Sequence, residues 1–308
     1  MKLNIIKNRK WFLALSAVFI ALSLASIVWF GFTPGIDFRS GTMWQISVDG
    51  AEERAIRDFA EVTLGLDAPV ISYDAVSDSF TLIFREITTE EHIMFQNKLL
   101  SYFPEAEELD FGRTSPSVSA ELRNNAIWII ILVLTAITLY VTFMFRRVSR
   151  PVSSYKYGFV TLAALTHDIL IAAGFFAVIA HFQGVTIDTL FVVALLTVAG
   201  FSVQDTIVIF DRIREKLSRQ HGKMNFNDIA EKSIQEVFVR SLNTAIGAMI
   251  ALLIVSIFGP MSMRYFALTM LVGMFFGVYS SIFVASPLLT VWHDFDAKRA
   301  ITAPERTK

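Results

Sequence analysis

Four ionisable side chains stand inside stretches otherwise apolar enough to lie in lipid. His167 and Asp168 are adjacent near the middle of one stretch, Asp205 lies about five residues before the end of the next, and Arg240 lies about one turn into another. A charge at bilayer depth costs about 2.5 to 3.5 kcal/mol on insertion scales, so such residues usually face a bundle interior and are the ones to question for function. Asp188 and Asp211 fall at the ends of apolar runs, where solvation is a sufficient explanation. The chemistry open to these groups is proton binding. With no cysteine, the chain has no disulfide, thiolate metal site or cysteine nucleophile. No covalent catalytic site, metal or cofactor is expected, and neither a bulk basic patch for nucleic acid nor an acidic tail is present.

Asp205 and Arg240 are expected at similar depth on two helices that can bring carboxylate and guanidinium together. Two arrangements compete. In a static one, a permanent ion pair neutralises two groups that could not be buried separately. In a switching one, desolvation favours the protonated carboxyl and the guanidinium favours the ionised one, so movement of Arg240 by a few Å sets proton occupancy. Asn243, Thr244, Gly247 and Ala251 follow Arg240 at i+3, i+4, i+7 and i+11 and build one polar or small face. Ala194, Thr197, Ser202 and Asp205 lie broadly to one side of their own helix. Gly273, Gly277, Ser281 and Ala285 form a four-residue ladder that permits close backbone approach. His167 and Asp168 are about 100° apart around their helix, so each is expected to bond to a neighbouring helix rather than to the other.

The elements that must position these residues follow from composition. Of 308 residues, 54% are hydrophobic and 18% charged, and the mean hydropathy is +0.54, outside the range of soluble domains. Six stretches reach the roughly 20 apolar residues that a helix needs to cross a bilayer. They run approximately from Trp11 to Phe30, Ala126 to Phe145, Gly158 to Ala180, Thr189 to Phe210, Val237 to Phe258 and Met263 to Trp292. The chain therefore divides into an N-terminal tail and first span (1–30), an extramembrane domain (31–125), spans two to six (126–292) and a tail (293–308). Nineteen Lys and Arg fall on the side of the two termini and eight on the side of the domain, which predicts cytoplasmic termini. The first apolar run is too long for a signal-peptide core and ends in Trp29 and Phe30, like an aromatic belt, which favours a span over a cleaved leader.

The domain reads β-α-β-β-α-β, the ferredoxin-like order. Met43 to Val48 alternates as a strand, and Ala51 to Leu66 places Ala55, Phe59 and Val62 on one helical stripe. Val70 to Val76 and Phe80 to Ile87 make a hairpin across Ser77-Asp78. Thr88 and Glu91 form a capping box for a helix with Ile93, Phe95, Leu99, Leu100 and Phe103 at its apolar positions, ended by Pro104, and a last strand lies near Leu109 to Arg113. No phosphate-cradling Gly-rich loop and no paired-histidine zinc motif occurs here; an interaction module is the default. The connector from Gly35 through Asp37 to Gly41 and Thr42 has two glycines suited to a turn that aims the first strand; a connector alone and a functional element remain equal readings.

Several segments resemble one family: Phe201-Ser202-Val203-Gln204-Asp205-Thr206 continuing to Glu215, Arg240-Ser241-Leu242-Asn243-Thr244, Gly277 to Pro287, Thr166-His167-Asp168, and Gly35-Ile36-Asp37-Phe38. Together they resemble SecF, the membrane subunit that works with SecD in bacterial Sec export and is related to resistance-nodulation-division exporters. The likeness covers nearly the whole chain, with Arg39-Ser40 replacing a common Thr-Gly pair and Gln204 standing where Asn is frequent. It implies a multi-pass subunit of the bacterial inner membrane, with the domain periplasmic or extracellular. It further implies that the subunit acts with SecD, the SecYEG translocon, its accessory membrane subunits and unfolded preproteins after the SecA ATPase has started transport. By the same resemblance, Asp205 is the proton carrier, Arg240 its basic partner, and proton flow drives the late step of export, which tips the two arrangements toward switching. A stand-alone exporter of small molecules or lipids and a passive translocon scaffold are the alternatives.

Overall fold

The computed structural model describes residues 4–74, 77–146, 152–220 and 224–302. Lys2, Arg147, Arg150, Lys223 and the tail from residue 303, all used in the charge reading, lie outside the described residues, as do Ala75 and Val76 at the end of the expected second strand.

Six helical segments are long and apolar enough to cross a membrane. They are α1 (Arg9–Phe30), α5 (Pro116–Met144), α6 (Ser154–Gln183), α7 (Thr189–Gln220), α8 (Phe226–Phe258), and a sixth made of α9 (Met261–Ser280), a π-helical turn (Ser281–Ala285) and α10 (Ser286–Thr302). Several extend past the apolar stretch that marks them. α7 and α8 continue beyond the bilayer-length core as a charged pair, held by Arg212 and Lys216 to Glu236. Hydropathy ends where charge begins, but the backbone ladder does not, because facing charges supply its outer surface.

α6 and the sixth segment are central. In their apolar windows 56% and 61% of residues are buried inside the chain, against 17% for α8 and 6% for α5, which turn most of their surface outward. Glycines set the close approaches. A Cβ on Gly174 of α6 would stand 2.6 Å from the Ser23 Cα of α1, and one on Gly273 would stand 2.2 Å from Val198 of α7, whereas one on Gly247 of α8 would meet nothing within 4 Å. Gly174→Ala and Gly273→Ala should therefore each destabilise the bundle by about 1 to 3 kcal/mol, while Gly247→Ala should be neutral or slightly stabilising. Thermal unfolding in detergent checks this, and equal effects at all three sites would contradict it.

The domain outside the bundle is a four-stranded antiparallel sheet in the order β2 (Val70–Asp74), β3 (Ser79–Phe84), β1 (Gly41–Ser47), β4 (Glu107–Thr114). With α3 (Glu53–Asp58) and α4 (Thr89–Tyr102) it completes the ferredoxin-like arrangement. Alternation gives the sheet one buried face and one half-buried face. Trp44, Ile46, Phe80, Leu82 and Phe84 pack with Phe59, Phe95 and Leu99 of the helices, and the intervening Met43, Gln45, Thr81 and Ile83 face the end of the bundle.

The capping box forms, with the Glu91 N–H donating to Thr88 Oγ1 at 3.2 Å and the Thr88 N–H to Glu91 at 3.0 Å. Arg85 and that N–H hold the Glu91 carboxyl below the usual carboxylate range. Two details differ from the sequence expectation. α3 passes into a π-helical turn, Phe59–Thr63, whose wider repeat carries the inward stripe from Phe59 to Leu64 and leaves Val62 exposed. On α4, Phe95 and Leu99 are buried, but Ile93 and Leu100 project from the opposite face into the open.

Candidate functional site

The connector after α1 forms a joint. Its residues Ile36–Arg39 make a short helical turn, α2. The Gly35 N–H donates to the Ile187 carbonyl at 2.8 Å and the Ile187 N–H to the Thr33 carbonyl at 2.9 Å, so the segments before β1 and before α7 pair like strands. A Cβ at Gly35 would collide with Thr186, and Gly41 adopts φ +131° against the Phe84 carbonyl, so both positions require glycine. The Asp37 carboxylate accepts from the Thr189 N–H at 2.9 Å and from its hydroxyl at 2.7 Å, while Asp188 accepts from the Phe191 N–H at 2.9 Å. Two carboxylates thus cap the N-terminus of α7 where its dipole is positive. Burial pushes the Asp188 carboxyl above the usual range, and the charge of Asp37 adds to the rise. Arg264, one of the eight cations counted on the domain side, completes the joint: its Nη1 donates to Asp74 of β2 at 2.6 Å, with both residues buried. The domain is therefore fixed to the start of α7 and the start of α9.

Below this joint, the polar residues fall into two groups. Asp205 is half-buried on α7, in a cleft lined by Ser202, Gln204, Thr244 and Ala245 of α7 and α8, and by Met274 and Gly277 of α9. Arg240 is exposed on α8, beside Asp211, Glu215 and Glu236 rather than in that cleft. Among the described residues no ion pair joins Asp205 to Arg240. The static arrangement is therefore absent, and Ser241 rather than Arg240 is the buried residue at that level of α8. Asn243, Thr244, Gly247 and Ala251 are all exposed, so the polar and small strip of α8 faces out of the chain.

The second group lies at the centre of the bundle. His167 and Asp168 were each expected to bond to a neighbouring helix rather than to the other; Asp168 does bond to neighbouring helices, but the structure also brings the two together, with His167 Nδ1 and Asp168 Oδ1 2.8 Å apart. Cβ vectors of adjacent helical residues diverge, but an imidazole reaches back across the backbone when a neighbour fixes the carboxylate. Here Ser202 of α7 and Ser280 of α9 fix it, donating to Asp168 Oδ2 at 2.5 Å and 2.7 Å. Ser281 then donates to the Ser202 carbonyl at 3.2 Å and lies 2.8 Å from the Thr206 hydroxyl. The ladder of Gly273, Gly277 and Ser281 runs along α7, Gly273 against Val198 and Gly277 against Ser202, and the π-helical turn begins at its last residue, Ser281. Sequence reasoning missed Ser280 as a ligand of Asp168; the signal available was its place in a run of small residues on a close-packed helix. No group of three or more metal-ligating side chains occurs among the described residues.

Comparison with known proteins bears on this arrangement. The family described as "Protein export membrane protein SecD/SecF, C-terminal" matches residues 94–294. The chain is 36% identical to protein translocase subunit SecF of Thermobaculum terrenum, over 98% of both chains. It is 34% identical to SecF of Sebaldella termitidis, over 96% of this chain and 93% of that one. Among solved structures it is similar to SecDF of Thermus thermophilus, described as a translocon-associated membrane protein, with a TM-score of 0.84 at 27% identity. That match covers 96% of this chain and 39% of the SecDF chain, so the present chain spans about two fifths of that protein.

Proposed function

Since this chain belongs to the SecF family of Sec protein-translocase subunits, we propose that it couples proton entry at Asp205 to the late movement of preproteins through the translocon, acting with SecD. The observation that carries this reading is a carboxylate set in an apolar span with its cationic neighbour near but not bonded to it. Such a group binds or releases a proton according to where the cation and the neighbouring helices stand. One proton crossing 100 mV releases about 2.3 kcal/mol, enough to bias a two-state motion but not to unfold a stable substrate in a single step, so the cycle repeats. The joint at Asp37, Asp188 and Arg264 is the mechanical route from α7 and α9 to the outer domain.

The exposed polar strip of α8, from Arg240 to Gly247, supports a protein neighbour within the membrane, because polar groups turned to lipid are costly. SecD is the partner that the SecDF chains point to. In this reading the termini are cytoplasmic and the outer domain is periplasmic in the bacterial inner membrane, where it meets unfolded preproteins emerging from SecYEG; the subunit transports and forms no covalent intermediate. The test is preprotein export into membrane vesicles with and without an uncoupler, together with co-purification of SecD. Export that loses its late phase on uncoupling, with SecD retained, is expected. Export indifferent to the gradient would make this subunit a passive scaffold, and failure to retain SecD would leave the α8 strip without its proposed partner.

A further inference from the structure

We propose that His167 and Asp168 together form a second proton-holding centre, read by α7 through the Ser202 hydroxyl. The pair is buried to 2% and 0% exposure at the meeting of α6, α7 and α9. An ionised Asp168 beside a neutral imidazole would leave an uncompensated charge within a lipid-embedded bundle, whereas one further proton on the pair, giving imidazolium and carboxylate 2.8 Å apart, makes it neutral. The pair therefore has a place for one exchangeable proton. His167 Nδ1 is committed to Asp168, and Nε2 is buried with no partner, its ring set between Phe276 and Tyr279 at 6.4 Å and 6.3 Å. A buried ring nitrogen without a partner calls for an explanation, and Nε2 is the atom that the second proton of an imidazolium would occupy.

The other charges around it are few. α1 has no charged residue between Lys10 and Phe30, and α5 none between Arg123 and Arg146. The π-helical turn and α10 have none before His293. On α6 itself Lys156 pairs with Asp296, and His181 lies toward the domain end beside Phe30. α9 contributes Tyr279, which bonds to Ser16 of α1, with Tyr265 and the paired Arg264 toward its domain end. α7 contributes Asp205, three residues beyond Ser202 and thus on the same side of that helix, with Asp211 at the far end. Ser202 donates to Asp168 on one side and lines the Asp205 cleft on the other. When the pair gains or loses its proton, the pull of Asp168 on Ser202 and Ser280 changes, and with it the seating of α7 against α6 and α9. For its use in export this rests on the proton-carrying reading of Asp205; its existence rests on the geometry of the pair.

Histidine-labelled infrared difference spectroscopy of the full-length chain in lipid vesicles, taken across a pH series, tests it. A protonation-dependent imidazole signal is expected, and His167→Gln, which keeps a donor for Asp168, should remove it. Its midpoint should move by about one pH unit in Asp205→Asn and move again in Ser202→Ala. A pair that serves packing alone gives no signal assignable to His167, and a midpoint unmoved by both other variants would sever it from α7; either result overturns the proposal. Persistence of this titration in a protein whose export ignores uncouplers would refute the export reading of Asp205 and leave the proton-holding pair intact.

Discussion

Replacing Asp205 by asparagine should abolish the proton-dependent part of export while the chain still folds, enters the membrane and retains SecD. Asparagine preserves shape and polarity in a half-buried cleft, and because no ion pair is broken, Arg240 is left no worse solvated than before. What disappears is the proton. At 100 mV one proton is worth about 2.3 kcal/mol, which corresponds to a bias of roughly fiftyfold between the two states of the cycle. In vesicles, the ratio of late export with and without a proton gradient should fall to one in Asp205→Asn. A variant that stays sensitive to uncouplers would remove Asp205 from the mechanism, even if its overall rate fell.

The second large effect is structural. Arg264→Ala should weaken the joint between domain and bundle by about 3 to 5 kcal/mol, because it takes the guanidinium away from a buried carboxylate, that of Asp74. Asp74 keeps the Ser77 hydroxyl at 2.6 Å, but a neutral donor does not replace a guanidinium. Arg264 also donates to the Gly259 carbonyl at 3.3 Å, so the turn into α9 loses a contact as well. The double variant Arg264→Met with Asp74→Leu should recover most of the loss, since it removes both charges together. Proteolytic release of the outer domain and thermal unfolding provide the measurements. If the single variant were as stable as the double, the buried pair would not be what holds the domain in place.

Much of the architecture was legible because bilayer length and strand alternation are local signals. Six apolar runs, the capping box at Thr88 and the β-α-β-β-α-β order each need only neighbouring residues to be read. Legibility failed where the answer depended on a second segment. Val62 falls off the inward stripe because the helix after Asp58 widens into a π-helical turn, which changes the period that a stripe argument assumes. Asp37 reads as one acid in a glycine-containing connector, and only its contact with Thr189 makes it a helix cap.

The candidate site divides along the same line. Residue type and hydrophobic surroundings singled out Asp205, Arg240, His167 and Asp168, because the cost of charge in lipid is a property of the segment itself. Which of them meet is a property of how helices pack. Tertiary structure drew His167 to Asp168, brought Ser202 and Ser280 to the same carboxylate, parted Arg240 from Asp205, and matched Arg264 with Asp74 across 190 positions of chain. Sequence determined that buried charge must exist in this protein. The fold alone decided where each charge finds its partner, because a partner's distance is set by close-packed helix faces that no single segment contains.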